Sequence, residues 1–415
     1  MSESIISRDS SSSLKRSLSL PLITLYGLGT ILGTGIYVLI GKIAGIAGIY
    51  APFAFLLAAV VAFFTALSYA ELSSRYPSSA GAALYVEKAF SKRWLSTALG
   101  WSVVLTGIVS AGTMVNGFVG YLTIFIKSPL WLSITALVIG LGLLAAWGIN
   151  ESVGTAAVIT LVEVFGLILV LFMAGNSLSE LPQRWQELVP PLSGSVWLNV
   201  TLGAFLAFYA FIGFEDMVNV AEEVKNPSRN LPLSILLALS IATLLYMLVA
   251  LVSVLALPLD LLAQSDAPLA SIIEHKGVHS PIIISLISLV AVLNGALVQI
   301  IMASRLVYGM SRQAMAPSMF NEVNNRTQTP IRATMLITLL ILVLALWLPL
   351  VTLAKATSFI ILVVFALVNL SLCYLKLGRE PHPDGSVNYP LWIPIAGFLL
   401  CLGLLILQVF SSLGK

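Results

Sequence analysis

Long apolar runs alternate with short polar stretches from residue 20 almost to the end of the chain. A helix needs about 20 residues to cross the hydrocarbon layer of a bilayer. The runs of that order lie near 20–46, 51–72, 95–126, 130–148, 153–174, 196–220, 232–257, 281–310, 333–350, 353–375 and 389–410, and they predict eleven transmembrane helices. The third and eighth are long, but neither holds two spans, so each predicts one tilted helix. The ninth is short, and its separation from the tenth at 349–352 is the least marked boundary. Residues 1–19 are polar, with Ser10 to Ser13 in a row, and predict a disordered tail without a cleavable signal.

Composition narrows the class. The chain is 59% hydrophobic and 9% charged, against about 25% charged in a soluble domain. This is an all-α polytopic membrane protein, surrounded by lipid. A net charge of +3 offers nucleic acid nothing. The placement of cations is more telling. With the amino terminus inside, Arg16, Arg75, Lys88, Arg93, Arg229, Arg312 and most other basic residues fall on the cytoplasmic side; Lys42, Lys127, Arg184, Lys276, Lys355 and Lys415 fall outside. That bias follows the positive-inside rule. It sets a multi-pass protein in the cell membrane, N-terminus cytoplasmic and C-terminus outside. Cys373 and Cys401 lie in apolar runs, and His275, His279 and His382 lie in loops. No zinc spacing, nucleophile–base pair or nucleotide-binding loop occurs, so we expect no metal, no cofactor and no enzyme.

Two spans are interrupted. In Tyr26 to Tyr37, glycines stand at 27, 29, 33 and 35. Each costs a helix about 0.5–1 kcal/mol relative to alanine. A broken helix is tolerated at membrane depth only where its freed backbone groups meet protein or a watery cavity. Close packing of small residues is the other reading of the same glycines. The sixth span repeats the pattern from Phe205 to Asp216, where Gly213, Glu215 and Asp216 interrupt an aromatic run. The two lie five positions apart in the order of spans, an odd number, so two five-helix units would insert in opposite senses. Paired breaks of that kind point to a solute site at mid-membrane.

Four stretches carry a resemblance. They are Gly33 to Tyr37; Tyr69 to Pro77 with Ala80 to Tyr85; Phe211 to Glu215 with Ala221 to Pro232; and Ser304 to Arg312. Together they resemble the amino acid–polyamine–organocation superfamily of permeases. The resemblance implies the leucine-transporter fold: a first repeat over 20–176, an inverted second repeat over 196–376, and an additional span over 377–415. Many members have twelve spans; the eleven here keep the ten-helix core. Light-chain members join a partner subunit through a cysteine in the second external loop, and 127–129 has none. Oligomeric state stays open.

The resemblance also implies secondary transport of an amino acid by alternating access. Proton symport leads; exchange of one amino acid or amine for another, or polyamine transport, stands as the alternative. The first break, with Ile31, Gly33, Thr34, Gly35 and Ile36, would offer N–H groups to a substrate carboxylate. The second, with Ile212 and Gly213, would offer carbonyls to its ammonium. Phe211, or else Phe208, would close over the substrate. Glu215 would brace the fold or a gate, and the loop residues Glu71 and Arg75 would form part of an inner gate. A solvated surface is the other reading of that charge cluster.

Glu163 lies mid-way along the fifth span, where a charge costs about 2.5–3.5 kcal/mol to insert. Several proton-coupled relatives have a lysine near this place, so their mechanism does not carry over. Three roles stay open: proton carriage, a structural pair, or contact with a cationic substrate. Asn294, in the eighth span, is the polar residue expected to approach the fifth span and the first break; Gln299 lies beyond it. Interhelical hydrogen bonding is the plainer role for both.

Overall fold

Polar hydroxyls inside the apolar spans are hidden by bonding back to their own helix. Thr113, Ser253, Ser288 and Thr357 each donate to the carbonyl four residues earlier, which lets serine and threonine sit in a buried helix without an external partner. Proline stands in the first turn of several spans, where its missing N–H costs nothing. The resulting architecture, in a computed structural model, describes residues 16–78, 81–148, 153–277, 281–324, 326–378, 383 and 385–413. The tail up to residue 15, with His279, His382, Arg379 and Lys415, lies outside them. The described residues form helices joined by short links, and their one extended pairing is a bridge between Leu18 and Val224.

The first span is α1 (Leu20–Ile31) followed by α2 (Thr34–Tyr37) and α3 (Leu39–Ala47); α4 (Ala51–Arg75) is the second. A short helix, α5 (Gly81–Phe90), leads to α6 (Arg93–Leu122), α7 (Leu130–Trp147) and α8 (Val153–Ala174). Helix α9 (Leu181–Leu188) precedes the sixth span, made of α10 (Gly194–Ala207) and two 3₁₀ segments, Phe208–Phe211 and Phe214–Glu223. Then come α11 (Pro227–Ala256), the short pair α12 (Leu259–Gln264) and α13 (Pro268–His275), α14 (Ile282–Arg312), α15 (Ile331–Trp347), α16 (Leu350–Leu377) and α17 (Trp392–Leu413). Among the described residues nine helical stretches are long and apolar enough to cross a membrane, and Leu20–Ile31 and Ile331–Trp347 add two shorter ones. The third and eighth spans are indeed single helices.

Several boundaries move. The tenth span starts at Leu350, directly after Pro349, because proline both ends α15's reach and opens α16. His275 closes α13 instead of sitting in a loop. Helix α4 runs a turn past its apolar stretch to Arg75. Glu71 and Arg75 are therefore helical and buried, not loop residues, because their charges find partners inside the protein. Nearby, Glu222 and Glu223 close the sixth span, Arg229 lies in the first turn of α11, Arg305 and Arg312 belong to α14, and Lys225 lies between helices.

The apolar interior divides in two. Val104, Ile108 and Val115 of α6, Ile134 and Val138 of α7, Ile300 and Val307 of α14, and Ile337 and Ile341 of α15 form one cluster. The first, second, sixth, seventh and tenth spans supply most of a second, larger cluster. The third, fourth, eighth and ninth spans thus share a core of their own.

Candidate functional site

Both breaks have one local design. α1 ends at Ile31; Leu32 is extended, with φ −68° and ψ 150°, and Gly33 follows at φ 141°. In the sixth span Ile212 is extended, with φ −70° and ψ 137°, and Gly213 follows at φ 127°. An L side chain rarely enters that positive-φ region, so glycine is what permits each reversal. The remaining glycines of the first span serve the other purpose. A Cβ on Gly27 would overlap Met217, one on Gly29 would overlap Thr160, and one on Gly35 would overlap the backbone of Ala210. Both readings of the glycine pattern thus hold, at different positions.

The breaks lie against each other. The Thr30 hydroxyl is 2.9 Å from the Gly213 carbonyl and 2.9 Å from that of Gly27. The Gly213 N–H donates to Glu215 Oε2 at 2.8 Å. The Ile31 carbonyl accepts from the Tyr246 hydroxyl at 2.8 Å. So three of the backbone groups freed by the breaks already have side-chain partners. The N–H groups of Thr34, Gly35 and Ile36 open a helix and have no acceptor within it. The Thr34 hydroxyl is buried and lacks a hydrogen-bond partner.

A cavity of about 570 Å³ opens below the breaks at the end of the bundle that carries Ser17. Gly29, Thr30 and Leu32 line it from the first span, Thr160 from α8, Asp216 and Glu223 from the sixth, and Asn294, Gln299 and Arg305 from α14. Asn294 thus shares a cavity with the fifth span and the first break. Thr34, Gly35, Ile36, Phe208 and Phe211 are buried and do not line it. Phe211 packs edge-on against Tyr246, with ring centroids 5.3 Å apart, and Phe208 against Phe365 at 5.9 Å. At the opposite end α3 and α6 pack closely against α12 and the link that follows it. A Cβ on Gly41 would overlap the Leu262 carbonyl, and one on Gly120 would overlap that of Asp266. Lys42 Nζ lies 3.3 Å from Asp266 Oδ1 and donates to the Ala263 carbonyl at 3.1 Å.

Glu163 is 1% exposed on α8. Its carbonyl accepts from the Tyr37 hydroxyl at 2.5 Å, and Tyr121 in turn donates to the Tyr37 carbonyl at 2.6 Å. Its carboxyl lies within electrostatic reach of Tyr37 and Tyr246. Glu71 forms a separate node. Its Oε1 meets Arg75 Nη2 at 2.5 Å and Lys376 Nζ at 2.6 Å, and its Oε2 accepts from the Tyr389 N–H at 2.9 Å. Burial, and next to it the Glu71 charge, push the Tyr389 phenol above its ordinary value. Sequence reasoning missed Thr30, Thr160, Tyr246 and Lys376 as members of these clusters. Each is a common residue in its helix, and only the fold aims it.

The sequence model of the amino acid permease family matches residues 18–414. The chain belongs to that family. It is 30% identical over 396 residues to the branched-chain amino acid permease BcaP of Bacillus subtilis, covering 90% of this chain and 83% of the relative. It is 29% identical over 401 residues to the vacuolar cationic amino acid transporter 4 of Arabidopsis thaliana, covering 92% of this chain and 66% of that longer relative. A methylthioribose transporter of Bacillus subtilis is 27% identical over 426 residues, covering 96% and 90%. The family match starts at Leu18, the residue that pairs with Val224 beside the cavity mouth.

Proposed function

We propose that this permease is a secondary carrier of amino acids that works by alternating access, with a proton gradient as its energy source. One observation carries the reading: two broken helices face each other beside a cavity at one end of the bundle, while helices pack closely at the other. Unpaired helical N–H groups in the first break suit a carboxylate, whose charge the helix end favours. Carbonyls of the 210–212 stretch suit the ammonium. The names of two of the three relatives share an amino acid and differ in its side chain, which fits recognition through backbone by backbone.

The division of the interior into two clusters supplies the moving parts. The unit with the broken helices rocks against the unit built on the third, fourth, eighth and ninth spans. Lys42 and Asp266 then separate as the far end opens. In this reading 20–176 and 196–376 are the inverted repeats, the amino terminus is cytoplasmic, and the open cavity faces the cytoplasm. Phe211 closes over the substrate, Glu215 braces the second break, and Glu163 carries the proton, one turn along α8 from Thr160, which shares the cavity with Asn294. Glu71 and Arg75 take part in the inner gate when the cytoplasmic end closes in the opposite state. One charge crossing 100 mV provides about 2.3 kcal/mol, enough for roughly fifty-fold accumulation.

The test is uptake of a panel of radiolabelled amino acids into proteoliposomes, with and without an inward proton gradient, for wild type and Glu163→Gln. We expect gradient-driven accumulation in wild type and exchange alone in the variant. Equal exchange by both proteins, indifferent to the gradient, would make the protein an antiporter and Glu163 structural.

A further inference from the structure

The end of the bundle that carries α12 holds a second cavity, of about 420 Å³, a size typical of small-molecule sites. Val254, Leu255 and Ala256 line it from the last turn of α11, Arg184 from α9, Glu180 from the turn just before α9, and Lys276 from the residue after α13. None of these residues belongs to a broken span.

Two sets of groups in this cavity lack partners. Helix α11 stops because the chain turns extended at Leu257, with φ −135° and ψ 138°, and Pro258 follows without an N–H to give. The Leu257 N–H donates back to Ser253, and among the described residues no donor reaches the carbonyls of Val254, Leu255 or Ala256. These three residues are buried, so their carbonyls carry the cost of missing donors, and a helix C-terminus adds about half a negative charge. Arg184 is already held, by Glu180 at 3.2 Å and by Glu187 at 3.1 Å. The Lys276 ammonium makes no ion pair among the described residues.

Once the paired charges cancel, the cavity presents one cation and one set of acceptors, both unfilled. A metal ion suits the carbonyls but is repelled by Lys276, and a bare anion meets the reverse. A small ligand that carries both an ammonium and a carboxylate answers both needs. We propose that this cavity is a peripheral binding site for a free amino acid in its zwitterionic form, with its ammonium on the α11 carbonyls and its carboxylate on Lys276. The groups that hold it address the part common to all amino acids, so different side chains compete for one place. The site is separate from the breaks and does not rest on their role.

The experiment is equilibrium dialysis of the purified full-length protein against tritiated L-leucine and, separately, L-arginine, for wild type, Lys276→Gln and Lys276→Glu, with thermal melting and uptake measured beside it. Wild type binds one equivalent more of each probe than Lys276→Glu, and Lys276→Gln holds that equivalent about tenfold more weakly than wild type. Glycine displaces the label from it, whereas methylamine or acetate, each with one of the two charges, does not. Melting stays close to wild type, and uptake KM stays within about twofold. Equal stoichiometry in wild type and Lys276→Glu overturns the proposal, as does displacement by methylamine or acetate alone. If Lys276→Glu does not fold, Lys276→Gln decides, and an unchanged affinity there overturns the proposal. An extra equivalent bound by a wild type that takes up no amino acid supports this site and overturns the transport reading instead.

Discussion

At Gly33 a side chain would begin in open space, with no atom within 4 Å; at Gly213 the same point falls on the carbonyl of Thr30. The two positions share a positive φ and an extended neighbour before them. They differ in what surrounds them. Gly33 is required by its own backbone alone, beside room that a ligand or a moving helix can use. Gly213 is required twice, by its backbone and by the first span pressed against it. A break in a helix is therefore not by itself a binding site. The first has space beside it, and the second forms the wall.

The largest test of that contrast is Gly213→Ala. Positive-φ strain of about 1–3 kcal/mol adds to an overlap with backbone, which cannot yield as a side chain would. Transport falls by about a hundredfold or more in proteoliposomes, and the purified protein melts lower. Gly33→Ala meets only the backbone penalty, so uptake falls by about tenfold and melting moves little. If alanine is equally damaging at both sites, the contrast collapses. Thr30→Val removes the hydroxyl that reaches the Gly213 carbonyl, a net loss of about 1 kcal/mol, and weakens uptake about fivefold. Thr30→Ser, tested beside it, restores the bond and the rate. Glu215→Gln is the mildest: an amide oxygen still accepts from the Gly213 N–H, and uptake changes by about twofold. A much larger loss there would make the charge of Glu215 itself functional.

Most of the architecture was legible in the run of apolar residues, because lipid leaves a chain few ways to satisfy its backbone. The breaks were legible for a related reason. Glycines clustered in one apolar run, and a glycine followed by two carboxylates in another, conflict with a continuous helix wherever they stand. Helix ends were less legible. Glu71 and Arg75 are polar, and polarity at the end of an apolar run reads as surface until Lys376 and Tyr389 are seen to close over them. Thr30, Thr160 and Tyr246 carried no signal, since a threonine bonding its own helix looks the same as one aimed at a neighbour. The roles of Gly27, Gly29 and Gly35 also needed the fold: their partners are a methionine, a threonine and an alanine far along the chain.

The Glu71 node bears on how the chain is built into its membrane. Glu71 and Arg75 are one turn apart on the same helix, so opposite charges already meet when the second span is made. That pair can be threaded into lipid with less penalty than either charge alone. Lys376 is synthesised only at the end of the eighth span after α4, and the backbone of Tyr389 later still. The carboxylate therefore keeps an unfilled valence through most of biogenesis and receives its last donors when the segment before α17 docks. A chain that ends before Tyr389 thus leaves Glu71 Oε2 without the backbone donor that completes the node.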